Sequence, residues 1–240
     1  MRSLIISDIH ANATALEAVL GQAGNVDGVW CLGDLVGYGP DPNECIMRIK
    51  ELPNLICLQG NHDAAALGHL ALDGFNLEAR RSIEWLREQL TEESAAFLQP
   101  LTPRAEVNDI TLVHASPRQP ILEYLLDTYS ARENFSYFGT DFCFGGHTHI
   151  PVLFRLSNQT VSFEIPKPNA QVQLQRRCIA NPGSVGQPRD RDPRASYVIF
   201  DDESDTWVYR RVEYDFQSVQ QRMHAANLPE RHIARLAEGW

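Results

Sequence analysis

LICLQGNHDAAAL, residues 55–67, begins with four apolar residues and passes through Gln59-Gly60 into three adjacent polar side chains. Leu55–Leu58 has the length and bulk of a buried strand. A simple turn after it would need only Asn-Gly or Asp-Gly. Asn61-His62-Asp63 instead places three hydrogen-bonding groups where one would close the chain reversal.

The same event recurs along the first 150 residues. Leu4-Ile5-Ile6 runs into Ser7-Asp8-Ile9-His10, Val29–Leu32 into Gly33-Asp34, Ile110–Val113 into His114, and Phe142–Phe144 into Gly145-Gly146-His147-Thr148-His149. Five of the eight histidines stand at these ends. Between the apolar runs lie helical patterns: about 12–20, with Leu16, Val19 and Leu20 on one face, and a segment opened by Asp41-Pro42-Asn43-Glu44, which has a capping residue, a proline at the first helical position and an acidic third. A longer helical region is expected over about 76–99, with Ile83, Leu86 and Leu90 on one stripe.

From about residue 152 the character changes to alternating, half-exposed strands at 152–156, 160–165, 171–175, 195–200 and 206–212. Two short amphipathic helices close the sequence, one carrying Phe216, Val219 and Met223, the other Ile233 and Leu236. A βα-rich half followed by a β-rich half predicts an α/β (α+β) fold: a single domain over 1–240, built as a four-layer sandwich of two mixed β-sheets flanked by helices. In such sheets the carboxyl ends of the strands meet at one edge, and sites form in the crevice there.

Composition excludes several functions. The 240 residues carry a formal charge of −10, against general nucleic-acid binding and against an anionic membrane surface. No apolar run approaches the roughly 18 residues of a membrane span, and MRSLIISDIH meets Asp8 too early for a secretory leader. The odd count of five cysteines, three of them in apolar runs, predicts buried free thiols in a cytoplasmic protein rather than a disulfide framework.

Taken singly, the strand ends have ordinary explanations: Asp-x-His as a capped turn, His114 as a core histidine. Together they assemble two aspartates, an asparagine and four histidines without a thiolate, a donor set suited to Mn²⁺, Fe, Zn²⁺, Co²⁺ or Ni²⁺. A bridging carboxylate would hold two such cations about 3.5–4 Å apart, lower the pKa of a bound water and clamp phosphate oxygens. No Gly-x-x-x-x-Gly-Lys loop is present to hold a nucleoside triphosphate.

Asp8-x-His10, Gly33-Asp34, Gly60-Asn61-His62-Asp63, His114 and Gly146-His147-x-His149 resemble, in order, the motifs of the calcineurin-like metallophosphoesterases, and Asn181-Pro182-Gly183-Ser184 resembles a segment of their small bacterial branch. The resemblance implies that Asp8, His10, Asp34 and His149 bind one metal. Asp34, Asn61, His114 and His147 would bind the other, and His62 would touch the phosphate and assist the leaving oxygen. Two departures stand out. Gly37 occupies the place of an aspartate that often orients that histidine, and Ala115-Ser116 replaces the double glycine of the protein Ser/Thr phosphatases. Both weigh against a protein phosphatase.

The expected activity is hydrolysis of small phosphodiesters or nucleotide derivatives, such as dinucleoside polyphosphates, by a metal-bound hydroxide, with Mn²⁺ the metal for assay. A phosphomonoesterase or, less favoured for the two departures above, a protein phosphatase is the alternative enzyme, and a non-catalytic protein-interaction scaffold the alternative of another class. Candidate substrate contacts are Arg118, Tyr38 and Arg189; Tyr124, Tyr129, Phe135, Tyr137 and Phe138 join Tyr38 as a possible stacking wall. Arg191 and Arg194, interleaved with aspartates, read as a self-paired loop. Asp63 reads either as a cap or as a hydrogen-bonding support for the ligands.

Overall fold

Two six-stranded sheets form the centre of the molecule, described over residues 1–240 by a computed structural model. In chain order the strands are β1 (Arg2–Ile6), β2 (Gly28–Cys31), β3 (Ile56–Cys57), β4 (Arg104–Val107), β5 (Ile110–Val113), β6 (Phe142–Phe144), β7 (Val152–Ser157), β8 (Thr160–Glu164), β9 (Gln171–Gln173), β10 (Cys178–Asn181), β11 (Ala195–Asp201) and β12 (Thr206–Val212). The helices are α1 (Ala13–Ala23), α2 (Pro42–Lys50), α3 (Asn61–Ala66), α4 (Leu77–Gln89), α5 (Glu92–Leu98), α6 (Thr128–Asn134), α7 (Phe216–Ala225) and α8 (Glu230–Glu238).

The first sheet runs β3-β2-β1-β11-β12-β9 and the second β4-β5-β6-β10-β7-β8. Both are mixed. β1, β2 and β3 are parallel, as are β5, β6 and β10, while β11 and β7 join antiparallel. Alternation along the strands then sorts the core. Leu4 and Ile6 of β1 and Val29 and Cys31 of β2 face α1, α2, α4 and α5, where they meet Leu16, Val19, Ile46, Ile49, Leu86 and Leu98. Ile5, Trp30 and Leu32, with Phe200 and Trp207 of β11 and β12 in the same sheet, face the second sheet and meet Leu112, Phe142 and Phe144. On the far side, Val113, Cys143 and Ile179 pack with Ala131 of α6 and with Phe135 and Phe138. Helices, sheet, sheet and helix make the four layers. Each large apolar side chain buried between them contributes about 1.5–3 kcal/mol.

Several elements differ from the sequence expectation. The run at 55–58 pairs as a strand only over Ile56–Cys57, although the Leu58 amide still donates to the Cys31 carbonyl at 2.9 Å. The helical region at 76–99 divides because Leu90 turns extended and the Thr91 side chain accepts from the Ser94 amide, capping α5. The Asp41 side chain accepts no hydrogen bond from α2; its carboxylate instead takes the Arg222 guanidinium of α7 at 2.8 and 2.9 Å. β4, β10 and α6 were not anticipated. All five cysteines are free, four of them buried, and no helix is long and apolar enough to cross a membrane.

Candidate metal centre

The parallel strands of both sheets deliver their carboxyl ends to one edge. Asp8 and His10 follow β1, Asp34 follows β2, Asn61 and His62 open α3 beyond β3, His114 follows β5, and His147 and His149 follow β6. All eight side chains are buried. The turns are tight enough to force Asp8, His10, Asp34, His147 and His149 to positive φ, between 48° and 67°. That backbone costs about 1–2 kcal/mol per residue and is held by amide bonds such as Asp8 to the Gly33 carbonyl and His10 to the Asp34 carbonyl, both at 3.0 Å. Gly60 is required by close approach, since a Cβ there would occupy the space of the Asp34 carboxylate and amide.

Asp34 stands between two groups of donors. Its Oδ2 lies 3.6 Å from His10 Nε2 on one side and 3.6 Å from His114 Nε2 on the other. Asp8 and His149 complete the first group, with Asp8 Oδ1 3.4 Å from His149 Nε2; His147 and Asn61 flank the second, with Asn61 Oδ1 3.1 Å from His114 Nε2. His62 borders the first group, near His10 and Asp34.

Backbone carbonyls dictate which imidazole nitrogens face inward. Nδ1 of His10 contacts the Val36 carbonyl at 3.1 Å, Nδ1 of His114 that of Leu32 at 2.9 Å, and Nδ1 of His149 that of Gln187 at 2.6 Å; His147 uses Nε2, at 3.2 Å from the Leu122 carbonyl. A carbonyl only accepts, so each of those nitrogens carries the proton and the opposite one is a lone pair aimed at the centre. His10 Nε2 and His149 Nε2 are 3.0 Å apart. Two lone pairs at that distance repel unless a cation lies between them. The residues therefore fit metal ions, with each histidine oriented through its outer nitrogen as metal ligands usually are.

Electrostatics point the same way. Burial pushes the Asp8 carboxyl up to about 7, and burial together with the Asp63 charge holds Asp34 well above the usual carboxylate range. Burial holds the imidazoles of His10, His62, His147 and His149 well below theirs. A cationic guest would reverse the carboxylate shifts and use the neutral imidazoles as they stand.

Asp63 proves to be both of the things its position allowed. Its carboxylate accepts from the Gly60 amide at 2.9 Å within α3's capping turn, and also from the amides of Asp34 at 2.9 Å and Val36 at 3.1 Å. It braces the loop carrying Asp34. The 181–187 segment closes the centre from the other side: Ser184 Oγ donates to the Asp8 carbonyl and Asn181 Nδ2 to the Gly146 carbonyl, both at 2.8 Å.

The structure brings Tyr38 and Arg189 to the site but not Arg118. Tyr38 packs its ring 4.3 Å from that of His62. The Arg189 guanidinium lies 5.7 Å from the Tyr38 ring and donates to Gln187 Oε1 at 3.0 Å, leaving its buried Nε without a partner. Arg118 is committed to Glu123, whose carboxylate also takes Ser116 and Asn134, so it ties a loop together rather than presenting a cation. Arg194 pairs with Asp192 as its sequence suggested. Among the aromatic residues, Tyr124 lies over His147 with ring centroids 4.1 Å apart; Phe135 and Phe138 are core, and Tyr129 and Tyr137 are exposed. Sequence reasoning missed His232, whose Nδ1 meets Ser82 Oγ at 2.9 Å and whose ring packs 4.6 Å from Tyr38; no spacing in α8 signals that role.

Gly37 packs directly on His62. A Cβ at Gly37, where φ is +99°, would lie 2.5 Å from His62 Nδ1, which has no hydrogen-bond partner. In place of a carboxylate, the imidazole is held by the Tyr38 ring, by His10 at 4.9 Å and by Phe75 at 5.3 Å.

The sequence profile of the calcineurin-like phosphoesterase superfamily domain matches residues 1–205. The chain belongs to this superfamily. Among solved structures, a metallophosphoesterase from Sphaerobacter thermophilus superposes on the whole phosphoesterase with a TM-score of 0.92, at 46% identity, and covers 99% of that chain. An uncharacterized protein of Methanocaldococcus jannaschii is 37% identical over 233 residues, 94% of this chain and 93% of its own. A symmetrical bis(5'-nucleosyl)-tetraphosphatase of Proteus mirabilis is 33% identical over 121 residues, 48% of the phosphoesterase and 44% of that relative. The match to the tetraphosphatase thus spans less than half of either protein. Membership and ligand chemistry together make the phosphoesterase a metal-dependent hydrolase of phosphoesters.

Proposed function

We propose that the phosphoesterase hydrolyses small phosphodiesters or nucleotide derivatives, the latter class including dinucleoside polyphosphates, at a binuclear centre. The observation that carries the reading is Asp34, whose single Oδ2 lies equally near the inward nitrogens of His10 and His114 and so serves both donor groups. Asp8, His10, Asp34 and His149 would hold one divalent ion, and Asp34, Asn61, His114 and His147 the other. Such a pair supplies a hydroxide near neutral pH and positive charge for the phosphoryl oxygens.

The chain's own groups do the rest. Arg189 supplies positive charge beside the phosphate, and the neutral His62 imidazole donates a hydrogen bond to the departing oxygen. The N/O donor set suits Mn²⁺, and the free cysteines suit the reducing cytoplasm.

The test is hydrolysis of bis(p-nitrophenyl) phosphate against p-nitrophenyl phosphate with Mn²⁺ and then with EDTA. Metal-dependent preference for the diester is expected; preference for the monoester would make the protein a phosphomonoesterase. His62→Ala should slow turnover at least a hundredfold while keeping both metals. Loss of metal in that variant would make His62 a ligand instead.

A further inference from the structure

Beside the centre, a cleft of about 350 Å³ opens between two segments, one carrying Leu70, Ala71 and Phe75, the other Leu122 and Tyr124. Its floor is the site itself, formed by Asn61, His62 and His147. Tyr124, 48% exposed, and Leu122, 45% exposed, are the large apolar groups that this wall leaves open to solvent.

No lysine or arginine lines this cleft. The cations on either flank are spoken for: Arg80 donates to the carbonyls of Asp73 and Phe75, both at 2.9 Å, and Arg118 is paired with Glu123. Two guanidiniums carry an unpartnered buried Nε, Arg189 and Arg235; both donate to Gln187 Oε1, and neither is part of the cleft lining.

We propose that this cleft seats one uncharged planar group of a diester with a single phosphate, and that it rejects polyphosphates. The inference rests on the hydrolase reading above and narrows it. The phosphate is served by the centre and Arg189. The planar ester group lies between Tyr124 and Phe75, whose rings are sequence-tolerant stacking surfaces. A polyphosphate would have to lay further charged groups along a wall that offers no donor cation, which costs the desolvation of each one without a partner. Phosphate chains are ordinarily met by Arg or Lys for that reason. Of the two nucleotide classes open above, the cleft selects the one-phosphate diester over the dinucleoside polyphosphate.

Two substrates separate them. The Mn²⁺-loaded protein is assayed with the p-nitrophenyl ester of thymidine 5′-monophosphate and with diadenosine tetraphosphate. The first should have a kcat/KM at least about tenfold higher, and Tyr124→Ala should raise its KM about tenfold, the lower end of what one stacked ring contributes, with wild-type metal content. Tyr129→Ala, at an exposed position outside the cleft, should change neither. Ala71→Lys should improve the tetraphosphate relative to the aryl diester. Preference for the tetraphosphate, or an unchanged KM in Tyr124→Ala, would overturn the assignment.

A second readout needs no turnover. Saturation-transfer NMR with phenylphosphonate should show aryl protons contacting the wild-type protein and losing that contact in Tyr124→Ala. Retained aryl contact in a protein inert toward every ester would defeat the hydrolase reading and leave the cleft standing. Absence of aryl contact would defeat the cleft alone.

Discussion

Replacing Gly37 with alanine tests whether His62 works from the position the fold assigns it. The added methyl would stand 2.5 Å from His62 Nδ1, whereas ordinary van der Waals contact begins near 3.4 Å, so the imidazole must retreat by 0.9 Å or the loop must open. The ring cannot retreat freely, because Tyr38, His10 and Phe75 enclose it. A displacement of about 1 Å in a reacting group costs about 10²-fold in rate, equivalent to about 2.7 kcal/mol of barrier. Alanine at φ +99° adds backbone strain of about 1–3 kcal/mol to the folded state. The assays are kcat on bis(p-nitrophenyl) phosphate with Mn²⁺, metal content by mass spectrometry, and a urea midpoint. The expected variant is folded, somewhat less stable, fully metallated and about a hundredfold slow. A folded Gly37→Ala enzyme with wild-type kcat would refute the reasoning, because it would show that the place of the His62 ring does not matter to the reaction.

Asp63→Asn should lower stability by about 2–4 kcal/mol in urea unfolding, since the amide can no longer accept from Asp34, Val36 and Gly60 together and leaves a buried N–H unpaired. Metal affinity should fall about 10–100-fold with it; unchanged affinity would mean the brace does not reach the ligands. Stripping the metals should make stability depend on pH. His10, His62, His147 and His149 have folded-state values below their unfolded ones, so their contribution is present above about pH 6.5 and lost as the pH falls. Asp8, raised to about 7, acts oppositely: its contribution is present at acid pH and lost as the pH rises toward 7. Between pH 6.5 and 5.5 the four imidazoles outweigh the raised carboxyls, and a net loss on the order of 1–3 kcal/mol is expected. A urea midpoint that does not move across that range would contradict burial of neutral imidazoles.

Much of the architecture was legible because it depends on short-range patterning. The apolar runs at 4–6, 29–32, 110–113 and 142–144 needed only their composition to be seen as strands, and the polar groups after each pointed to one sheet edge. What escaped was decided elsewhere in the chain. β10 is only Cys178–Asn181, with no alternation to mark it, and is a strand because β6 and β7 flank it. α6 buries little beyond Ala131 and Asn134, too few apolar positions to show a helical period. Asp41 looked like a cap by every local rule, yet Arg222, 181 residues away, competes successfully for it. Arg118 was misjudged for the same reason: a cation close to His114 in sequence was spent on Glu123. The imidazole tautomers rest on carbonyls of Leu32, Val36, Leu122 and Gln187, and a backbone oxygen leaves no residue type to read.

The donors that meet at the centre come from both sheets: Asp8, His10 and Asp34 from the first, His114, His147 and His149 from the second. A cation bound there is a rivet through the sandwich as well as a reagent. Each ion held at a hundred times its dissociation constant adds about 2.7 kcal/mol against unfolding. Starving a cell of the metal would therefore thin out the protein itself, as idle copies come apart and are degraded. Abundance and activity would fall together, tying the supply of this enzyme to the supply of its ion.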